Sequence, residues 1–279
     1  MDVTGRENDV AVDEPSAVAP DHARLRRWFL GIPFTPLTLR ETAERVVARS
    51  PNAPFVFVTT PNAQHVVRTA AGDRRFLTAH DRGWLVVNDS SILSLLSARW
   101  FGQPLPKAAG SDLTALLFRE YIRSNDAITV IGGSDEVECR LRSQFGLSTL
   151  ARHNPPMGFY NNPVEIERCV EFILAHPARY VFLAVGAPQS EMVACRTLER
   201  GGAVGTALCI GSSLHFVTGV VRRAPEIFQR AHLEWAYRLA QNPRRHLRRV
   251  FVESLPVLWI AWTYRVTPSL ASHQRRGSG

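Results

Sequence analysis

The chain reads as an α/β protein: a Rossmann-like parallel sheet with helices on both faces, followed by a C-terminal helical appendage. Three observations predict this. Five short runs rich in Val, Ile, Phe and Thr recur between residues 55 and 210 without clean alternation, as strands buried on both faces do. Helical patterns separate these runs at the spacing of βα units. Beyond residue 222 the strand-like runs stop, and only helical periodicity continues.

Taken in order, residues 1–22 are acidic, contain Pro15 and Pro20, and read as a disordered leader. The body, 23–221, opens with a helical window at Leu37–Ala48. The expected strands are Phe55–Thr60, Trp84–Val87, Ala127–Ile131, Arg179–Val185 and Gly205–Ile210, each stopping at Gly, Asn or Pro. Between and around them, helices are expected at Asp73–Asp81, Ser91–Phe101, Asp112–Ser124, Asp135–Phe145, Pro163–Ala175 and Ser190–Arg200. The appendage, 222–279, offers helical stretches at Ala231–Asn242, Pro243–Val252 and Leu255–Arg265, with Pro243 and Pro256 compatible with helix starts.

Composition narrows the class. With 45% apolar and 21% charged residues the chain is an ordinary globular protein. Cysteines at 139, 169, 195 and 209 form no C-x-x-C pair, which argues against a disulfide framework or structural zinc and fits a reducing compartment. The N-terminus lacks the basic-then-apolar order of a signal peptide, and no apolar stretch is long enough to span a bilayer. Only Lys107 is a lysine among 33 basic residues. Residues 222–279 hold 11 arginines against 3 glutamates, which accounts for the whole formal charge of +8. A neutral body with a cationic end points to an anionic surface or substrate bound there.

In open parallel sheets, ligands bind beyond the carboxyl ends of the strands. The residues there are Thr60-Pro61-Asn62, Asn88-Asp89-Ser90, Gly132-Gly133-Ser134, Gly186-Ala187-Pro188-Gln189 and Gly211-Ser212-Ser213. The Gly132 and Gly186 loops lead into helices, where backbone N–H groups can hold a phosphate. Each position also has a plain structural use. Glycine makes a tight turn, Asp89 or Ser90 caps a helix, Thr60 and Asn62 finish a strand, and His215 packs. Neither glycine loop is G-x-G-x-x-G or a P-loop, and no D-x-D occurs. The segment GVVRRAPEIFQRAHLEWAYRLAQNPRR (219–245) is either a solvated amphipathic helix or a grip for a diphosphate, which guanidinium forks match.

Taken together these residues resemble the WecG/TagA/CpsF glycosyltransferases, glycosyltransferase family 26, from about Trp28 to Arg249. Arg223-Ala224-Pro225, Leu233-Glu234-Trp235, Tyr237-Arg238-Leu239, Pro243 and Arg245 fit that family's longest signature. Thr60-x-Asn62, Gly110-x-Asp112, and Gly186-Ala187-Pro188 followed by Glu191 fit its shorter ones. The resemblance implies a cytoplasmic, metal-independent, inverting transferase. Such an enzyme moves a sugar from a UDP-sugar to a polyprenyl-diphosphate-linked acceptor in bacterial cell-surface polysaccharide synthesis. No cofactor or metal is expected. By the same resemblance Asp89 is the general base, and Thr60 and Asn62 share its pocket. Lys107 and the Gly186 loop on the body, and Arg223, Arg238, Arg245 and Arg248 on the appendage, are the candidates to meet the charge of the leaving UDP; Gly132, Gln189, Glu191 and His215 complete the candidate substrate-binding residues. Departures cluster around the sugar. Ser90 stands for a glycine, Lys107 for an arginine, Gln189-Ser190 for Lys-Gln, and His215 for an aspartate.

Leu255–Tyr264 (LPVLWIAWTY) is too short to cross about 30 Å of hydrocarbon, and its tryptophans and tyrosine suit a membrane interface. Flanking arginines suit an anionic leaflet, so the inner face of the plasma membrane is an expected partner, with self-association of the chain alongside it. Two other classes compete. A nucleotide-dependent oxidoreductase needs a glycine fingerprint after the first strand and an acid about 20 residues on, and neither is present. A nucleic-acid binder using the arginine tail would bind arbitrary DNA with strong salt dependence and would not bind UDP, and no nucleic-acid partner is expected.

Overall fold

Two-sided burial of single strands organises the molecule. The computed structural model describes residues 25–221 and 255–267. Six strands form one all-parallel sheet in the order β4-β3-β8-β7-β5-β6. They are β3 (Val56–Thr59), β4 (Leu85–Val86), β5 (Ile128–Gly132), β6 (Leu150–His153), β7 (Tyr180–Ala184) and β8 (Thr206–Cys209). Along β7, Tyr180 and Phe182 join one apolar cluster and Val181 and Leu183 the other; along β8, Leu208 and Ala207 divide the same way. A strand with apolar side chains on both sides has no polar face, hence the unalternating runs in the sequence.

Helices α1 (Leu39–Ala48), α5 (Gly110–Leu116), α6 (Asp135–Phe145) and α9 (Ser213–Val217) cover the first face. Helices α3 (Arg74–Arg82), α7 (Pro163–Ala175) and α8 (Gln189–Arg200) cover the second. Large side chains such as Phe57, Tyr180 and Phe182 are fully buried. Each contributes roughly 1.5–3 kcal/mol of transfer free energy. Local signals set the helix starts. Thr38 and Glu41 form a reciprocal capping box before α1, and Asn162 caps α7 ahead of Pro163.

A third cluster lies beyond edge strand β4. There β1 (Arg27–Phe29) and β2 (Ile32–Phe34) form an antiparallel hairpin around Leu30 and Gly31, both at positive φ, as the tightest hairpin turns require. Phe29 and Phe34 pack with Val66 of α2 (Ala63–Ala70), Leu93 of α4 (Ser91–Phe101), and Val257 and Ala261 of α10 (Pro256–Val266). The expected appendage helix at Leu255–Arg265 is therefore present and has one face in the core. Trp259 and Trp262 remain 65% and 47% exposed on it. The expected helices Ala231–Asn242 and Pro243–Val252 lie outside the described residues.

All five expected strands are present. Sequence reading missed β6, the β1–β2 hairpin, α2 and α9. The helix expected at Asp112–Ser124 starts at Gly110 and relaxes into a π-helical turn at Leu117–Tyr121. All four cysteines are free thiols. Among the described residues no helix is long and apolar enough to cross a membrane.

Candidate active site

The carboxyl edge of the sheet assembles from the inside outward. Beyond β3 and β4 the pairing continues, with Val87 N–H donating to the Thr59 carbonyl (3.0 Å) and Asp89 N–H to that of Pro61 (2.9 Å). Asp89 is thereby fixed beside the Thr60–Asn62 turn. On its other side Ala108 N–H donates to the Asn88 carbonyl (2.8 Å), and Lys107 bridges Asn88 in parallel. Lys107 and Asp89 thus flank one buried asparagine. Its side chain holds the loop: Asn88 Oδ1 accepts from Ser90 N–H (2.9 Å), and Nδ2 donates to Ser94 Oγ (2.8 Å). The capping expectation resolves to Ser90, whose Oγ accepts from Leu93 N–H (3.4 Å) to start α4. Asp89 itself is half-buried.

Thr60 is buried and ties the β3 turn to β8, its hydroxyl donating to the Cys209 carbonyl at 3.1 Å. Gly110 closes over it, since a Cβ there would sit 3.0 Å from Thr60 Oγ1. That contact is tighter than an ordinary Cβ contact, so a larger residue there would have to displace the Thr60 hydroxyl. The β7 and β8 loops meet next door, where a Cβ on Gly211 would lie 4.0 Å from Gly186 Cα. Gly186 itself has φ +82° and faces open space. The loop continues through a cis Ala187–Pro188 bond into α8, which starts without a side-chain cap. Ser190 N–H is taken by the Gly186 carbonyl (2.8 Å), and no side chain caps the other amides of the first turn, which stay electropositive. Ser190 Oγ donates to the Leu183 carbonyl (2.9 Å) and holds this turn on β7.

Glu191, in that first turn, does not open toward solvent. It is 2% exposed, with Oε1 3.6 Å from His65 Nε2 and no hydrogen-bond partner for Oε2. Gln189 Oε1 and His215 Nδ1 are also buried polar atoms without partners. Asn62 caps α2, its Oδ1 accepting from Gln64 N–H at 3.0 Å. Behind it lie His65 and His80, with ring centroids 5.9 Å apart. Burial first, and the neighbouring His65 second, hold His80 well below the ordinary histidine range. Burial also pushes the Cys195 thiol up to about 12 and Cys209 well above its usual value, so neither is a nucleophile near neutrality.

Gly132 stands apart, on β5, with β7 and β8 between it and β3. Its φ is +98°, and a Cβ would meet Val185 Cγ1 at 2.8 Å, so glycine is required for the β5–β7 approach. The helix after it carries Asp135, Glu136 and Glu138 in its first turn, and Arg152 is engaged there with Asp135, Glu138 and the Gly133 carbonyl. A phosphate would meet three carboxylates at that helix start. Thr60, Asn62, Asp89, Lys107, Gly186, Gln189, Glu191 and His215 thus share one edge region of β3, β4, β7 and β8. Arg223, Arg238, Arg245 and Arg248 lie outside the described residues. His65 was missed by sequence reading, and its only signal was its place three residues after a capping asparagine.

A doubly wound parallel sheet with polar loops gathered at its carboxyl edge is the architecture of a ligand-binding α/β enzyme. The chain belongs to the WecG/TagA/CpsF family of glycosyl transferases, whose family model matches residues 27–271. It is accordingly a glycosyltransferase of cell-surface polysaccharide synthesis, acting between a nucleotide-sugar donor and a glycan acceptor.

Proposed function

We propose that the chain transfers a sugar from a UDP-sugar to a polyprenyl-diphosphate-linked acceptor with inversion at the anomeric carbon. The observation that carries the reading is the packing of Asp89 between the Thr60–Asn62 turn and the Lys107 segment. The acceptor hydroxyl attacks the anomeric carbon as its proton passes to the Asp89 carboxylate, which must come within about 3 Å. The bond to UDP breaks, and its electron pair goes to the β-phosphate oxygen. Lys107, the Gly186 loop and the uncapped start of α8 meet that charge, each well-placed donor contributing about 3–4 kcal/mol. Arg223, Arg238, Arg245 and Arg248 complete the diphosphate grip in this reading, and no metal is required.

The same reading places the chain peripherally on the inner face of the plasma membrane. Leu258, Trp259 and Trp262 are exposed on α10 and Leu255 just before it, and Leu95 is 60% exposed on α4, against which α10 packs. Arg265 lies over the Trp100 ring, 5.8 Å from its centroid. Apolar and indole side chains bordered by arginine suit the headgroup region of an anionic leaflet.

Asp89→Asn tests the base. It is expected to leave the fold and UDP binding intact and to lower turnover at least 100-fold, the low end for general-base loss. Near-normal turnover, measured with a short polyprenyl-diphosphate acceptor, assigns the base elsewhere, with His215 the next candidate.

A further inference from the structure

We infer that Glu191 and His65 form a buried positioning couple that orients Asn62, so that Glu191 acts on the site through His65 and not by touching substrate. Glu191 comes from α8, after the β7 loop; His65 and Asn62 come from α2, after the β3 turn. The Glu191 and His65 side chains are 3% and 8% exposed, too deep for a sugar or phosphate to reach either. Their facing atoms, Glu191 Oε1 and His65 Nε2, are 3.6 Å apart. Among the described residues Glu191 has no other ion-pair partner. The opposite ring edge serves Asn62: with the proton on Nε2, His65 Nδ1 accepts from the Asn62 backbone N–H at 3.3 Å, while Asn62 Oδ1 accepts from Gln64 N–H and not from the ring.

A buried carboxylate facing one ring nitrogen holds a proton on that nitrogen and fixes the ring's plane. Held by Glu191 at one edge, His65 presents a fixed Nδ1 edge to Asn62. Asn62 in turn sets the first turn of α2 beside Thr60 and Asp89. The couple therefore links the β7 loop, where the leaving group departs in the proposed reaction, to the β3 turn beside the base. The kinetic consequence rests on the glycosyl-transfer reading, whereas the proton's location on Nε2 does not.

The two arms of the test keep those apart. In protein carrying ¹⁵N-labelled histidine, His65 Nε2 is expected to be protonated. Glu191→Met, which keeps length but offers no oxygen acceptor, should redistribute that proton, and Glu191→Gln should restore it. A bare Nε2 in the wild type, or a spectrum unmoved by Glu191→Met, overturns the couple whatever the reaction is. The kinetic arm uses His65→Gln, which can still reach back to the Asn62 N–H as a capping residue. His65→Gln and Glu191→Met should each lower kcat 10–100-fold with donor KM nearly unchanged, and the double variant should be no worse than the poorer single. Additive losses, or a loss confined to donor KM in Glu191→Met, would mean direct substrate contact and overturn the positioning role. Thermal melts of each variant, matched to wild type before assay, remove unfolding as a cause.

Discussion

Acidification should unfold this protein partly through His80. The ring is 1% exposed, and both of its nitrogens lack hydrogen-bond partners. Burial, reinforced by His65, depresses its folded pKa well below 6.5. In the unfolded chain the same ring takes a proton near pH 6.5, so below that value the unfolded state binds one proton more than the folded state. The stability this residue preserves is therefore complete above pH 6.5 and lost as pH falls through the unfolded value. One such group removes about 1.4 kcal/mol per pH unit once well below its unfolded pKa. Integrated from pH 7 to pH 5, the loss is about 2 kcal/mol. For a chain of this length that lowers Tm by roughly 3–4 °C. His80→Leu keeps an apolar side chain of similar size against Phe76 and has nothing to titrate. The assay is a set of thermal melts of both proteins between pH 7.5 and 5, with the histidines remote from His80 cancelling in the difference. The variant's curve should be flatter by that amount and its stability at pH 7.5 equal or higher. Parallel Tm–pH curves for the two proteins would refute the reasoning, because His80 would then titrate alike in both states.

Gly205→Ala should cost about 3–4 kcal/mol, combining left-handed backbone with overpacking. Its φ is +88°, and a Cβ would sit 2.0 Å from the Ala178 carbonyl oxygen; urea unfolding reads the loss. Transfer activity should survive EDTA, since the chain has no D-x-D, and activity lost to chelation and restored by Mg²⁺ or Mn²⁺ would end the account based on cationic side chains and helix amides. Trp259→Ser with Trp262→Ser should weaken sedimentation with anionic vesicles at moderate salt while leaving Tm unchanged, because both rings are largely exposed. Unchanged vesicle binding would move the membrane contact off α10.

The central strands were legible because burial on both faces writes continuous apolar runs, as in Tyr180–Ala184. Strand β6 was not: Leu150-Ala151-Arg152-His153 is an edge strand, and its Arg152 is there to hold Glu138 and Asp135. The β1–β2 hairpin uses three-residue strands and turns at Leu30-Gly31, without the Asn-Gly that advertises such turns. Helix α2 was readable in principle, because Asn62 is a capping residue, yet its position after β3 drew it into the turn. The edge residues Thr60, Asn62, Asp89 and Gly186 followed from the rule that sites gather at carboxyl strand ends. The tie between His65 and Glu191 did not, since it joins residues far apart in the chain that meet only once the folded chain brings α2 and α8 together.

The strand order has a consequence for how the enzyme comes into being. Strands β3 and β4 pair early along the chain, and β5, β6 and β7 form a second set. Only β8 joins them, pairing Phe57 and Val181 on its two sides through Ala207. Because β8 follows the other five strands of the sheet in the sequence, the two sets cannot be joined through it until residues 206–209 have been synthesised. The hydrogen bond from Thr60 to Cys209, spanning 149 positions, waits for that moment. Such long-range closure is slow and leaves strand edges open meanwhile. A seam set between the two halves also makes activity a sensitive report of complete synthesis: a chain ending short of β8 carries Asp89 but no crevice for it to serve.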